Sequence, residues 1–475
     1  MSTSISQSAR PQGDAPALPP ATSRLLVPAL ALAVLAFSMM QTLLVPALPS
    51  FMVEFDIDSA LAGWILTSFL LCGAVAAPIL GSLGDRFGHR KMLILTLAIF
   101  LAGSVITILT NSFMVLLIGR VLQGASTATF PLALAIVRLN LSGAPQRAAF
   151  GWLSGVVGLG AGVALVVGGL VLEASSWQWL FVTGAFMGAL ALILVIIAVP
   201  TSGRGKPGRT DWAGTALLVV GLVSFLLAIS QGGKWGWASL EILGLFLLGA
   251  IALLCLVFVE LRTESPLIDM RTLARPALAI THGISLFIGF IPYTFYIGLP
   301  VLLQSPATPG IGHGFTVTQT GLALLPGALL VFFGGRFAPA LITRLGVKAT
   351  ACIALLIMAI GSLGIALAPN NLAMIIGFFA IFGLGNGFGF TVLANLVALM
   401  APQEEIAAAM GVNSVVRTVG SALGTPVATT ILASVALSNS GAATLNSYSV
   451  LFMVSVATSI LGTVLALTLR ISSRR

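Results

Sequence analysis

Gly81-Ser-Leu-Gly84-Asp85-Arg86-Phe-Gly88-His89-Arg90-Lys91 lies between two long apolar runs and gathers an acid and several bases into one short stretch of an almost uncharged chain. Gly81, Gly84 and Gly88 permit a sharp turn and close approach of backbones. Asp85 suits the positive end of a helix, and Arg86, Arg90 and Lys91 suit the cytoplasmic side of a membrane. Charge alone is also satisfied by a plain helix–helix loop carrying positive-inside bases.

Outward from this stretch, the composition excludes a water-soluble protein. Of 475 residues, 58% are hydrophobic and only 7% are charged, and the mean hydropathy is +1.10. A soluble surface carries far more charge. Lipid leaves backbone polar groups no partner but the helix itself, so the chain is expected to be an all-α polytopic membrane protein. The net charge of +9 does not mark a nucleic-acid binder, because the bases sit between apolar runs. Cys72, Cys255 and Cys352 are far apart within apolar runs and read as packing residues, with neither disulfide nor metal spacing.

Apolar runs of spanning length recur near 25–47, 60–80, 91–110, 113–137, 149–172, 178–199, 212–230, 239–260, 277–304, 317–343, 348–368, 371–398, 408–435 and 448–470, fourteen in all. Pro326, Arg336 and Pro339 interrupt the tenth. Bases follow the even-numbered spans: Arg86, Arg90 and Lys91, then Arg138 and Arg147, then Arg204, Lys206 and Arg209, then Arg262, Arg271 and Arg275, then Arg344 and Lys348, and finally Arg470, Arg474 and Arg475. The opposite loops hold Glu54, Asp56, Asp58, Glu173 and Glu241, with Lys234 their single base. The positive-inside rule therefore places both termini in the cytoplasm, with the protein in the cell membrane. Trp177, Trp179, Trp235 and Trp237 fall at predicted outer ends and Trp152 and Trp212 at inner ends, as belt residues do. Residues 1–23, rich in Ser, Pro and Ala, are expected to form a disordered cytoplasmic tail.

The chain repeats itself. Span five carries Gly151, Gly160 and Ala164 after Pro145-Gln146, and span thirteen carries Gly411, Gly420 and Gly424 at the same spacing after Pro402-Gln403. Thr343-Arg344-Leu-Gly346-Val-Lys348 echoes the opening stretch. Two six-helix halves, 24–200 and 276–475, are expected around an inserted helix pair with flanking loops over 201–275.

The acids are informative by their placement. All thirteen fall in tails, loops or helix ends, and none in a membrane centre. Two bases do lie inside spans, Arg120 in span four and Arg417 about 15 Å into span thirteen. A guanidinium at such depth costs at least ~2.5 kcal/mol, so each is expected to face a cavity or a partner. The remaining candidate cavity wall is polar but uncharged: Gln41, Thr42, Gln123, Tyr293, Tyr296, Asn386, Asn395 and Asn413, beside Met39, Met40 and Phe290. Each is equally suited to packing or helix–helix hydrogen bonding. Polar groups among methionines and aromatics suit adaptable binding of apolar molecules. His282 lies shallow in span nine and reads as a packed or hydrogen-bonded histidine.

The order G-x-L-x-D-R-x-G-x-R, with His89 where Arg or Lys is usual, resembles the loop between the second and third helices of major facilitator superfamily transporters. Arg120, Gln123 and Gly124 resemble that superfamily's fourth-helix R-x-x-Q-G signature. Span five, with Gly151, Gly160, Gly168 and Gly169, resembles its exporters' glycine-rich helix, although Ala164-Leu165 stands where Gly-Pro is usual. The whole chain resembles the fourteen-helix drug:proton antiporter family, with Met40 where an Asp is usual.

The resemblance implies the major facilitator fold, alternating access, a small-molecule substrate, contact with membrane lipid and coupling to protons. It assigns Gly81, Asp85, Arg86, Gly88 and Arg90 to a conformational latch. Asp85 would accept from the amino end of span thirteen near Ala407, and Arg90 or Lys91 would meet Glu404 or Glu405. The residues themselves supply no membrane carboxylate to carry a proton or attract a cation, which favours neutral, amphipathic or anionic substrates. Met40, Gln41, Arg120, Gln123, Tyr293, Tyr296, Asn386, Asn413 and Arg417 are the expected substrate or coupling residues. The glycines of spans five and thirteen are the expected packing residues. No G-x-x-x-x-G-K-[ST] and no clustered nucleophile and base occur, so no cofactor, catalytic chemistry or nucleic-acid partner is expected, and the chain is expected to act as a monomer. An uptake or facilitated-diffusion carrier for an organic anion or nutrient remains open. So does a non-transporting sensor or lipid-binding scaffold, against which the short tails count.

Overall fold

In the computed structural model, which describes residues 20–201, 211–263, 266, 270–307, 312–401, 406–434 and 444–469, the chain is a bundle of long helices. They are α1 (Pro20–Thr42), α2 (Leu48–Glu54), α3 (Ser59–Phe87), α4 (His89–Leu109), α5 (Phe113–Gly124), α6 (Thr129–Asn140), α7 (Gly143–Ala174), α8 (Gln178–Ala198), α9 (Trp212–Trp235), α10 (Leu240–Arg262), α11 (Met270–Leu273), α12 (Pro276–Gln304), α13 (Val317–Leu345), α14 (Val347–Leu367), α15 (Leu372–Met400), α16 (Ile406–Ser434) and α17 (Leu445–Leu467). Fourteen crossings have the length and apolar character to span a membrane, with α5 and α6 sharing one and the short α2 and α11 contributing none. No strand occurs among the described residues.

Acids at the helix ends act as caps. Asp58 accepts from the Leu61 N–H at 2.8 Å, and Asp211 accepts from the Gly214 N–H at 2.7 Å. Each satisfies a donor that the first helical turn leaves open. Among the described acids, Glu260 alone is fully buried, in the last turn of α10.

Four expectations are corrected. The first span stops at Thr42 rather than near residue 47, and a turn leads into α2; Pro46 and Pro49 lack the N–H that would extend the ladder. The fourth is broken by a tight 3₁₀ turn over Ala125–Ala128, beside the point where Gly124 abuts the backbone of Phe69. The stretch Gly81–Phe87 is helical, and the turn is confined to Gly88, whose φ of 99° suits glycine. Trp177 is buried, packed between Phe51, Phe55 and Phe181 with its indole N–H toward Glu54 at 3.4 Å, and so is no belt residue. The tenth span, by contrast, is continuous through Pro326 and Pro339. The tail 1–19, the loop 202–210 and the pair Glu404 and Glu405 lie outside the described residues.

The packing repeats. α1 lies against α7 and α8, and α4 against α8; α12 lies against α16 and α17, and α14 against α17. Gly160 rests on Leu35 and Ser38 of α1, as Gly420 and Gly424 rest on the Leu286 and Phe290 backbone of α12. Small residues let these backbones close without a side chain between them. The turns repeat as well. Gly346 has φ of 82°, like Gly88. Two residues after each glycine a base reaches the carboxyl end of a helix: Arg90 Nη2 donates to Ile196 O at 2.7 Å, and Lys348 Nζ to Leu467 O at 2.7 Å and Leu469 O at 2.9 Å. Those carbonyls carry the negative end of the helix dipole.

Two seams join the first six spans to the last six. In one, α7 packs along α13; in the other, α3 packs along α16. The helices α9 and α10 pack on each other, and α9 lies in the second seam against both α3 and α16. There Leu218 and Leu222 meet Ala74, Val412 and Val419.

Candidate functional site

The centre of the bundle brings together polar residues from both groups of spans. Tyr293 on α12 is nearly fully buried. It lies within electrostatic reach of Gln41 on α1, Arg120 on α5 and Arg417 on α16. Its ring meets Tyr296 edge-on, with centroids 5.4 Å apart. Two bases, two phenols and an amide therefore converge across the seam, although they come from sequence positions more than 370 residues apart.

The two bases have different surroundings. Arg120 is wholly buried. Its Nε donates to Ile65 O at 2.8 Å and its Nη1 to Gln123 Oε1 at 2.8 Å. Its guanidinium lies 4.5 Å above the Phe69 ring. Gln123 in turn donates to Ser104 Oγ at 3.0 Å. Arg120 is thus held by α3 and α5, and through Gln123 by α4. Arg417 is half-buried, and its guanidinium lies 5.1 Å above the Phe390 ring. Among the described residues no carboxylate pairs with it. Its backbone carbonyl abuts Gly289, which brings α16 and α12 close together.

The other expected residues divide between packing and cavity. Met40 is buried with its sulfur against Gly184 of α8. Asn413 donates to Ser285 Oγ and so links α16 to α12. Gly162 and Gly169 hold α7 against Ala328 and Thr318 of α13. Gly168 rests on Leu43 O, while Gly411 has open space around it. Asn386 is buried, and its Oδ1 has no hydrogen-bond partner. It lines a small cavity of about 10 Å³ between α7 and helices α12, α13 and α15, together with Tyr296. In the proposed latch, Arg90 is engaged by α8 and Arg86 lies 4.9 Å over the Phe87 ring, while the Asp85 side chain falls outside the described residues, as do the surroundings of the packing residue Gly151. His282 is buried with neither ring nitrogen hydrogen-bonded.

Sequence reasoning missed Phe69, Phe390 and Ser104. Phe390 stands one helical turn beyond Asn386, so an i, i+4 scan of α15 from Asn386 finds it. Phe69 and Ser104 approach Arg120 from other helices and leave no local trace.

At the predicted outer end, two contacts tie the groups of spans. Gln304 Nε2 donates to Pro46 O at 2.8 Å, and Glu173 Oε1 accepts from the Thr318 N–H at 2.9 Å, at the amino end of α13.

Fourteen membrane-length helices, a repeated six-span packing and a polar centre on the seam define a polytopic membrane transporter. The chain belongs to the Major Facilitator Superfamily, whose family model matches residues 30–425 and, again, 284–475. It is 29% identical to the uncharacterised MFS-type transporter YhcA of Bacillus subtilis over 67% of this chain and 59% of that protein. It thus spans about three fifths of that curated relative's length. It is 27% identical to the tetracenomycin C resistance and export protein of Streptomyces glaucescens over 86% of this chain and 75% of that one. The human organic anion transporter MFSD10 has the same fold, with a TM-score of 0.62 at 17% identity over 93% of this chain and 100% of that one.

Proposed function

We propose that the protein exports neutral or anionic amphipathic small molecules across the cell membrane by alternating access between residues 24–200 and 276–475, with both termini cytoplasmic. The observation that carries this reading is Arg417, a guanidinium inside a spanning helix, stacked on Phe390 beside Tyr293, with no acid paired to it among the described residues. Such a group attracts an anion or an electron-rich ring and repels an organic cation. The export direction is supported by relatives named as the tetracenomycin C export protein and the multidrug transporter MdtP of Bacillus subtilis. Asp85, at the end of α3, is the proposed inner latch onto α16 in the outward-open state. Asp85→Asn should then slow transport at unchanged surface expression.

The test is flux of the fluorescent anion 6-methoxy-2-naphthoate in sealed proteoliposomes, with and without an imposed pH gradient. Transport that Arg417→Ala abolishes supports the reading. Equal flux in Arg417→Ala and the parent, or transport of organic cations alone, overturns it. Acceleration by the gradient assigns proton coupling; indifference to it assigns facilitated diffusion, the alternative that a fold shared with an organic anion transporter also fits.

A further inference from the structure

Leu218, Leu222 and Leu226 recur every four residues along α9 and are all buried. That spacing sets them on one face of the helix. The first two sit in the seam between α3 and α16. Leu226, one turn further along α9, lies in an apolar cluster with Phe37, Phe69, Leu70, Tyr293 and Ala422. Those residues belong to α1, α3, α12 and α16. Leu226 is therefore the point at which a helix of neither six-span group enters the packing at the centre of the bundle.

The cluster is continuous with the polar centre. Tyr293 belongs to both, since it also lies within electrostatic reach of Arg417. Phe130 and Leu423, which pack against the cluster, stay partly exposed, so its edge is not sealed. The site is thus charged at Arg417 and apolar from Tyr293 to α9. On α9 itself, Val220 on the lipid side is 40% exposed, whereas Leu226 is 1% exposed. Leu226 accordingly closes the apolar end. A cargo tail that reaches it must displace a packed side chain, a costly step in a close-packed interior.

We infer that Leu226 determines specificity by limiting the length of the apolar part of an anion held at Arg417. The substrate class is then compact aryl acids with short substituents rather than long-tailed amphipathic anions. This inference rests on the transport reading above and narrows it.

The experiment compares two probes with the same charge and ring system, 6-methoxy-2-naphthoate and 6-butoxy-2-naphthoate. Flux into proteoliposomes of the full-length protein is corrected for leak through protein-free vesicles. The butoxy tail is longer by three carbons, the same number that Leu226→Ala removes. The parent protein should move the butoxy probe roughly tenfold more slowly than the methoxy probe. Leu226→Ala should narrow that ratio to about threefold or less. Leu226→Val, which removes one carbon, should narrow it by a smaller amount, and Leu226→Phe should widen it. Val220→Ala, on the lipid side of α9, should keep the parental ratio. A general loss of packing would slow both probes together and leave the ratio where it was. A parent that moves the butoxy probe as fast as the methoxy probe overturns the inference even if no Leu226 variant folds. So does a parental ratio in Leu226→Ala or Leu226→Val. In either case, Arg417-dependent transport of the methoxy probe leaves the transport reading standing. Failure of the parent to move either probe is the separate result that overturns that reading and this inference with it.

Discussion

Arg120 and Arg417 carry the same charge at comparable depth, yet one is consumed by the protein and the other is left available. Around Arg120, a carbonyl and an aromatic face from α3 and an amide from α5 hold the guanidinium, with Nη2 left without a hydrogen bond. Around Arg417 there is one ring and a neighbouring phenol. A buried cation fixed by partners on neighbouring helices works as a bracket; one held on one side works as a receptor. On the proposed reading, the first group of spans supplies a scaffold at the centre, and the second supplies the binding charge.

The largest effect should come from breaking the bracket. Arg120→Ala leaves Gln123 Oε1 buried without its donor, cuts the tie from α5 to Ile65 O and opens a void against Phe69, which should cost roughly 2–5 kcal/mol of stability. A fall in the detergent melting temperature, or loss of monodisperse protein, is the readout. Arg120→Lys should rescue little, because an ammonium cannot reproduce the planar fork. Arg417→Ala should do the reverse, with anion flux falling at least about tenfold, the equivalent of 1.4 kcal/mol, and the melting temperature nearly unchanged. Were both variants to lose stability equally, the distinction between bracket and receptor would be gone. At the inner edge the two groups of spans should behave alike: Arg90→Ala and Lys348→Ala each remove one tie to a helix carboxyl end, at about 0.3–1 kcal/mol apiece. Unequal melting shifts would show that the repeated turns carry different loads. The smallest effect is expected from Glu173→Gln, which keeps a hydrogen-bond acceptor for Thr318 but removes the charge from the amino end of α13. Labelling of a cysteine placed at Ser50 should rise by roughly twofold as the outer tie weakens.

The fourteen crossings were legible because apolar length and alternating bases report on lipid, a solvent that acts on every residue alike. The repeat was legible because close helix contact demands glycine wherever it recurs, as at Gly160 and Gly420. The break after Thr42 and the 3₁₀ turn at Ala125 were not, since hydropathy is blind to where a proline or a neighbouring backbone interrupts the ladder. The candidate site was legible only as a set of residues. That Arg120 is enclosed and Arg417 is not depends on Phe69, Ser104 and Ile65, which arrive from other helices. The pattern around either arginine in its own helix contains no sign of them. Trp177 misled for a related reason: a position at a helix end fits a membrane belt and a folded corner equally, and Phe51 and Phe55 decide between them.

The placement of α9 has a further consequence. A wedge occupies one of the two seams, while in the other α7 and α13 meet directly, with glycines of α7 against Ala328, Val331, Phe332 and Thr318. A molecule already dissolved in the bilayer meets a plugged flank on the α3–α16 side. On the α7–α13 side it meets one that can part without displacing any extra helix. Lateral capture from the lipid, and sideways escape of cargo, should therefore be one-sided around the circumference of this protein.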